Sequence, residues 1–161
     1  MESVVKDKVF MRSLKIISIL LFSILEFQTA FSQSNNVEHP LDEEYQKCLQ
    51  EDLGNYGERR CHSEFEEKWD KELNVNYNYL IELLEIHMDP IHGDQTVDSI
   101  TLTNLRTAQR QWLKYRDEEF KLINKLYDRK GSMYYTIKTF RRMSIVRQRA
   151  LELMRYCNSF Q

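Results

Sequence analysis

Glycine and proline are scarce in this chain, with four and two among 161 residues, and long alternating runs of Val, Ile and Thr are missing. A sheet-rich fold needs frequent turn formers and period-two patterning, so these absences favour an all-helical fold. The sequence has no HisGlu-x-x-His pair, no Gly-x-Ser-x-Gly elbow and no phosphate-binding glycine loop. Without these signatures nothing marks an enzyme, and no cofactor is implied. Carboxylates are plentiful, but acid–base catalysis needs two of them in a cleft with separated pKa values. Glu64, Glu66 and Glu67 read instead as a solvated helix face. His87, Asp89, His92 and Asp94 form the one cluster of ligand-type residues. They straddle a loop and read as an ordinary polar helix end, so no metal site is expected.

What the chain does contain is aromatic area: nine Tyr, eight Phe and two Trp, enough for the core of one small domain. Its N-terminus has the layout of an export signal. Lys6, Lys8, Arg12 and Lys15 precede an apolar run, Ile16 to Leu25, that is too short to span a bilayer comfortably. Ala30-Phe31-Ser32 then supplies a small-x-small cleavage site. Residues 1–32 are therefore expected to be a signal peptide, with Met11 as an alternative start and an uncleaved anchor as the alternative fate. The mature protein is expected to be periplasmic or secreted, with no stable membrane insertion after cleavage. No cysteine lies near Ser32 to carry a lipid.

The net charge of −2 conceals a division. Residues 38–98 hold 17 acidic and five basic residues, a net −12, whereas residues 99–161 hold five acidic and 14 basic, a net +9. Both halves are amphipathic, so neither is a charged tail. The acidic half is expected to lie against the basic half in one bundle, with part of the acidic surface left exposed. Lys138, Arg141, Arg142, Arg147, Arg149 and Arg155 could imitate a nucleic-acid surface, but export argues against a nucleic-acid partner.

Apolar periodicity predicts four helices after a flexible lead-in at 33–41. The domain spans 42–157. A short helix covers about Asp42 to Leu53, followed by a turn at Gly54 and Gly57. A long helix covers about Glu58 to Met88, with Cys61, Phe65, Trp69, Leu73, Tyr77, Leu80 and Leu84 in a stripe at steps of three and four. Asp89-Pro90 ends it. A third helix starts at the N-cap Asp98 and runs to a C-terminal glycine, Gly131. On it, Ala108, Trp112, Tyr115, Phe120, Ile123 and Leu126 share one broad face. A fourth helix, capped by Ser132, turns Ile137, Phe140, Met143 or Ser144, Arg147, Leu151 and Met154 inward. The predicted architecture is an antiparallel hairpin of the two long helices, with a short N-terminal helix and a packed C-terminal helix. Export makes disulfides possible. Cys48–Cys61 would tie the first helix to the second, and Cys48–Cys157 and Cys61–Cys157 are the alternatives.

Four motifs occur in a fixed order: Asp70-x-x-Leu73-Asn74-x-x-Tyr77, Ala108-Gln109-Arg110-x-Trp112-x-x-x-Arg116-Asp117, Gly131-Ser132 and Ser144-x-x-Arg147-x-x-x-Leu151. Over about Cys48 to Leu153 the chain thereby resembles the LprI-type lysozyme-inhibitor family, small exported helical domains of bacterial envelopes. The resemblance implies a binding protein with a protein partner, a lysozyme. A non-inhibitory structural or interaction module of the cell envelope is the alternative. Family members often carry a second cysteine pair, and Phe120 and Phe140 stand in those places here, which predicts that their rings touch. The polar motif residues Asp70, Asn74, Gln109, Arg116 and Arg147 are expected to form a structural network across helices two, three and four. The expected partner contacts are acids of the first and early second helices: Asp42, Glu43, Glu44, Glu51, Asp52, Glu58, Glu64 and Glu67. They would attract a cationic hydrolase and occlude it.

Overall fold

A computed structural model of the chain describes residues 38–88, 98–129 and 131–160. These residues form four helices: α1 (Pro40–Glu51), α2 (Gly54–Met88), α3 (Ser99–Leu126) and α4 (Ser132–Asn158). No strand occurs among the described residues, so the fold is all-α. The expected signal peptide and most of the lead-in lie outside them.

The first helix begins two residues earlier than its apolar pattern suggested. Pro40 takes the first helical position, where its missing N–H costs nothing and its fixed φ suits the turn. His39 is the N-cap, its Nδ1 accepting from the Leu41 N–H at 3.2 Å. The end of the predicted lead-in is thus part of the folded domain. At the other end of α1, Gly57 belongs to α2 and not to a turn. A Cβ there would lie 2.1 Å from the Asp52 carbonyl oxygen, so the close passage of the chain requires glycine. Asp98 caps α3 as expected, accepting from the Thr101 N–H at 2.8 Å. That helix stops at Leu126, short of Gly131. Gly131 instead precedes α4 with φ +134°, a conformation L side chains rarely adopt. Ser132 is the first residue of α4, and its hydroxyl accepts from Asn55 Nδ2.

Contacts between side chains set the helix directions. Cys48–Cys61 and Glu44–Lys68 make α1 antiparallel to α2. Glu85–Arg106 and Asp70–Arg116 make α3 antiparallel to α2. Asn55–Ser132, His62–Thr139 and Asn76–Ala150 advance together, so α4 runs parallel to α2. The α2/α3 pair is the predicted antiparallel hairpin, yet the principal packing is between α2 and α4. Phe65, Trp69, Leu73, Leu80 and Leu84 of α2 meet Met143, Val146, Ala150, Leu151 and Leu153 of α4. Each large side chain removed from water there contributes about 1.5–3 kcal/mol. Ala150 and Cys157 are small, which lets the two backbones approach. Asn76 reaches the Ala150 carbonyl at 3.4 Å, and the buried Cys157 thiol donates to the Asn76 carbonyl at 3.4 Å.

Two predicted faces are corrected. On α3 the inward residues are Leu102, Leu105, Gln109, Trp112, Phe120 and Ile123, whereas Ala108, Tyr115 and Leu126 are exposed. With the half-buried Arg116 between Trp112 and Phe120 the inward row keeps steps of three and four, but it passes through two polar residues, Gln109 and Arg116, which an apolar count skips. On α4 Phe140 is 47% exposed and Thr136 is buried.

The Cys48–Cys61 bond closes a 13-residue separation between α1 and α2, which the chain-entropy model values at about 3 kcal/mol. Replacing both cysteines by alanine should lower the urea-unfolding free energy by about that amount. A change under about 0.5 kcal/mol would show that α1 is held without the bond.

Candidate functional site

The joint that positions α1 is built around Trp69. Asp42 lies one turn before Tyr45 and two before Leu49, so it shares their inward face and is only 8% exposed. Its carboxylate accepts from Arg147 Nε at 2.6 Å and Nη2 at 2.8 Å, and from the Glu38 N–H at 3.1 Å. The Arg147 guanidinium also stands over the Trp69 ring at 5.5 Å, and the His39 ring lies 5.1 Å from it. Burial alone would raise the pKa of Asp42, but the hydrogen bonds and positive charge of Arg147 outweigh it and hold the carboxyl below its ordinary 3.8. Asp42, expected on the surface as a partner contact, is therefore a structural ion-pair member. Its small exposure and three bonds set it apart from the exposed acids of α1.

The expected single polar network is three separate clusters, and Asn74, exposed and bonded only to Asp70 of its own helix, links no helices. Asp70 accepts from Arg116 Nη1 at 3.3 Å, and Asn74 donates to the Asp70 carbonyl at 2.7 Å. Gln109 accepts from Arg149 Nε at 3.0 Å, and Arg149 also pairs with Glu152 at 2.7 Å. Arg147 joins neither, because residues 147 and 149 project from opposite flanks of α4, one toward α1 and the other toward α3. Arg149, expected only as part of a basic surface, and Glu152, absent from every expected site, both belong to the Gln109 cluster. The signal for Arg149 was its place next to Ala150 and three residues after Val146, both core positions. The predicted Phe120–Phe140 ring contact is also replaced. Phe140 packs on His62 at 5.4 Å, while the Arg142 and Arg116 guanidinium groups lie over Phe120 at 4.4 and 5.9 Å.

The remaining predicted contact acids divide by partner. Lys68 Nζ sits between Glu44 and Glu64 at 3.0 and 3.1 Å, and those bonds raise its pKa. Asp52 pairs with Arg60, and Glu51 lies 3.8 Å from Lys47. Glu43, Glu58 and Glu67 have no cation within ion-pair distance among the described residues. Glu43 and Glu67 are exposed, and Glu58 is half-buried.

Glu58 lines an open, mainly apolar cleft of about 340 Å³ whose walls are Tyr45 and Leu49 of α1, His62 of α2, and Thr136, Ile137 and Phe140 of α4. Burial, with the Glu58 charge adding to it, pushes the Tyr45 hydroxyl up to about 12. Burial also lowers the pKa of His62, whose Nδ1 lies 3.1 Å from the Thr139 hydroxyl. Asp89, His92 and Asp94 of the polar loop lie outside the described residues. Among those described, no group of three metal-ligating side chains gathers.

The polar motifs thus sit at helix crossings in a four-helix array, and the family described as lysozyme inhibitor LprI matches residues 48–153. The chain belongs to the LprI lysozyme-inhibitor family. No curated protein and no solved structure matches it. The LprI match begins at Cys48, within α1, and so takes in Arg147 but leaves out its partner Asp42. In this LprI domain the joint that seats α1 draws on a residue ahead of the matched span.

Acid should unfold this protein in two windows. His62, held below 6.5 in the fold, takes its proton more readily when unfolded, so its contribution is complete above 6.5 and is lost as pH falls below that value. Asp42 behaves alike below 3.8. In urea titrations against pH, His62→Asn should flatten the upper window and Asp42→Asn the lower. Identical pH profiles for wild type and both variants would contradict these assignments.

Proposed function

We propose that the mature protein is an exported inhibitor that binds a cationic lysozyme and occludes it, through the acidic surface of α1 and the first turns of α2. The observation that carries the reading is family membership over residues 48–153. Charge distribution supports it. The arginines of α4 that face the acidic half are engaged by Glu38, Asp42 and Glu66. Glu43, Glu58 and Glu67 keep their charge free, beside the half-neutralised Glu44, Glu51 and Glu64. An unneutralised negative face speeds the approach of a cationic protein and orients it.

The protein acts in this reading as a binding protein without catalysis of its own, in the periplasm or outside the cell after removal of residues 1–32. No helix among the described residues is long and apolar enough to cross a membrane. In this reading Asp70, Gln109, Arg116 and Arg147 hold helices together and are not contact residues, whereas the exposed Asn74 bonds only within α2.

Residues 33–161 should slow cell-wall lysis by a cationic lysozyme. Inhibition should weaken as ionic strength rises from about 0.01 to about 0.15 M, where the Debye length falls from about 30 to about 8 Å. Glu43→Gln with Glu67→Gln should reduce the association rate and leave folding intact. Folded protein with no effect at tens of micromolar would contradict inhibition of that enzyme and favour a non-inhibitory envelope module.

A further inference from the structure

We propose that the cleft between α1, the start of α2 and the start of α4 is an anchor pocket for one basic side chain of a partner protein, an arginine or a lysine. The inference rests on the reading that the partner is a cationic protein, and adds where and how it is gripped. Three observations meet at this cleft. Its walls are mainly apolar or aromatic, from Tyr45, Leu49, Ile137 and Phe140, with His62 and Thr136 beside them. Its one carboxylate, Glu58, has no cationic partner among the described residues. The neighbouring Arg59 cannot serve, because its Nε donates to the Asn55 carbonyl and its guanidinium lies over the Tyr56 and Tyr135 rings at 5.4 and 5.8 Å.

An arginine or lysine side chain complements such a lining in two parts. Its methylene stem packs on apolar walls while its charged head seeks an anion, here Glu58. The aromatic rings of Tyr45 and Phe140 add attraction for a cation. A neutral apolar side chain would leave the Glu58 carboxylate desolvated without a partner, and an acidic one would be repelled. Around the same end of the bundle Leu53 and Tyr56 are 81% and 77% exposed, and Tyr135 is 43% exposed. Tyrosine and arginine around a partly enclosed pocket are the usual composition of the few residues that dominate a protein interface.

The test uses the mature chain and two small probes, acetyl-arginine methylamide and its neutral citrulline counterpart, titrated while the His62 and Phe140 ring signals are followed by NMR. The arginine probe should move both signals, and the citrulline probe should not. Glu58→Gln should weaken the response to arginine at least about tenfold, which is about 1.4 kcal/mol. Phe140→Ala, a change at a half-exposed ring, should weaken it as well. Equal responses to both probes, or an undiminished response in Glu58→Gln, would overturn the proposal. So would probe-independent shifts that grow with protein concentration alongside dimer formation, since a second copy would then own the cleft. Lysis assays separate the two readings. If wild type inhibits a lysozyme and Glu58→Gln inhibits equally, the anchor pocket fails while inhibition stands. If wild type inhibits none but binds the arginine probe through Glu58, inhibition fails while the pocket stands.

Discussion

The ion pair between Asp42 and Arg147 ties α1, which packs on α2, to α4, and much else follows from that tie. Helix α1 is only 12 residues long, too short to be stable on its own, and its apolar side is narrow. Besides the Glu44–Lys68 pair to α2, two attachments hold it. The Cys48–Cys61 bond fixes one end to α2, and the two-pronged Asp42–Arg147 contact fixes the other to α4. Between them α1 covers Trp69 and Phe65 with His39 and Tyr45. It also supplies one wall of the Glu58 cleft. Loss of the pair would leave a carboxylate and a guanidinium in a partly dry site, each without its counter-charge.

That pair is one of several that cross between the acidic first half and the basic second half. Glu38–Arg155, Glu66–Arg142, Asp70–Arg116 and Glu85–Arg106 do the same. Exposed pairs of this kind contribute little stability individually. Their collective effect is on arrangement, since a bundle assembled with like halves together would suffer repulsion. They also decide what charge remains outside. Most of the inward arginines of α4 are neutralised by α1 and α2, whereas Glu43, Glu58 and Glu67 are left over on the acidic side.

The bundle was readable from the sequence wherever packing followed an unbroken apolar row. The α2 stripe from Cys61 to Leu84 is such a row, and the Asp98 cap marks the start of α3 by its own chemistry. The apolar pattern misleads where a polar residue occupies an inward position. By its charge Asp42 reads as a surface acid, whereas its spacing from Tyr45 and Leu49 places it inside. The family motif points to Arg147 and not to Arg149, yet both are structural and face opposite flanks. Phe140 looked like a core residue by type but lines an open cleft, because Thr136 and Met143 take the inward positions beside it. Pairing across helices depends on rotations and separations that one sequence does not display, so Arg147 with Asp42 became visible only in the fold.

A double-mutant cycle on Asp42→Asn and Arg147→Met, read by urea unfolding at neutral pH, tests the central contact most directly. Each single change should cost about 3 kcal/mol, because it strands the other partner in a partly buried site. The double variant should cost clearly less than the sum, with a coupling of about 2 kcal/mol. Additive losses, with a coupling below about 0.5 kcal/mol, would show that the pair does not hold α1 in place.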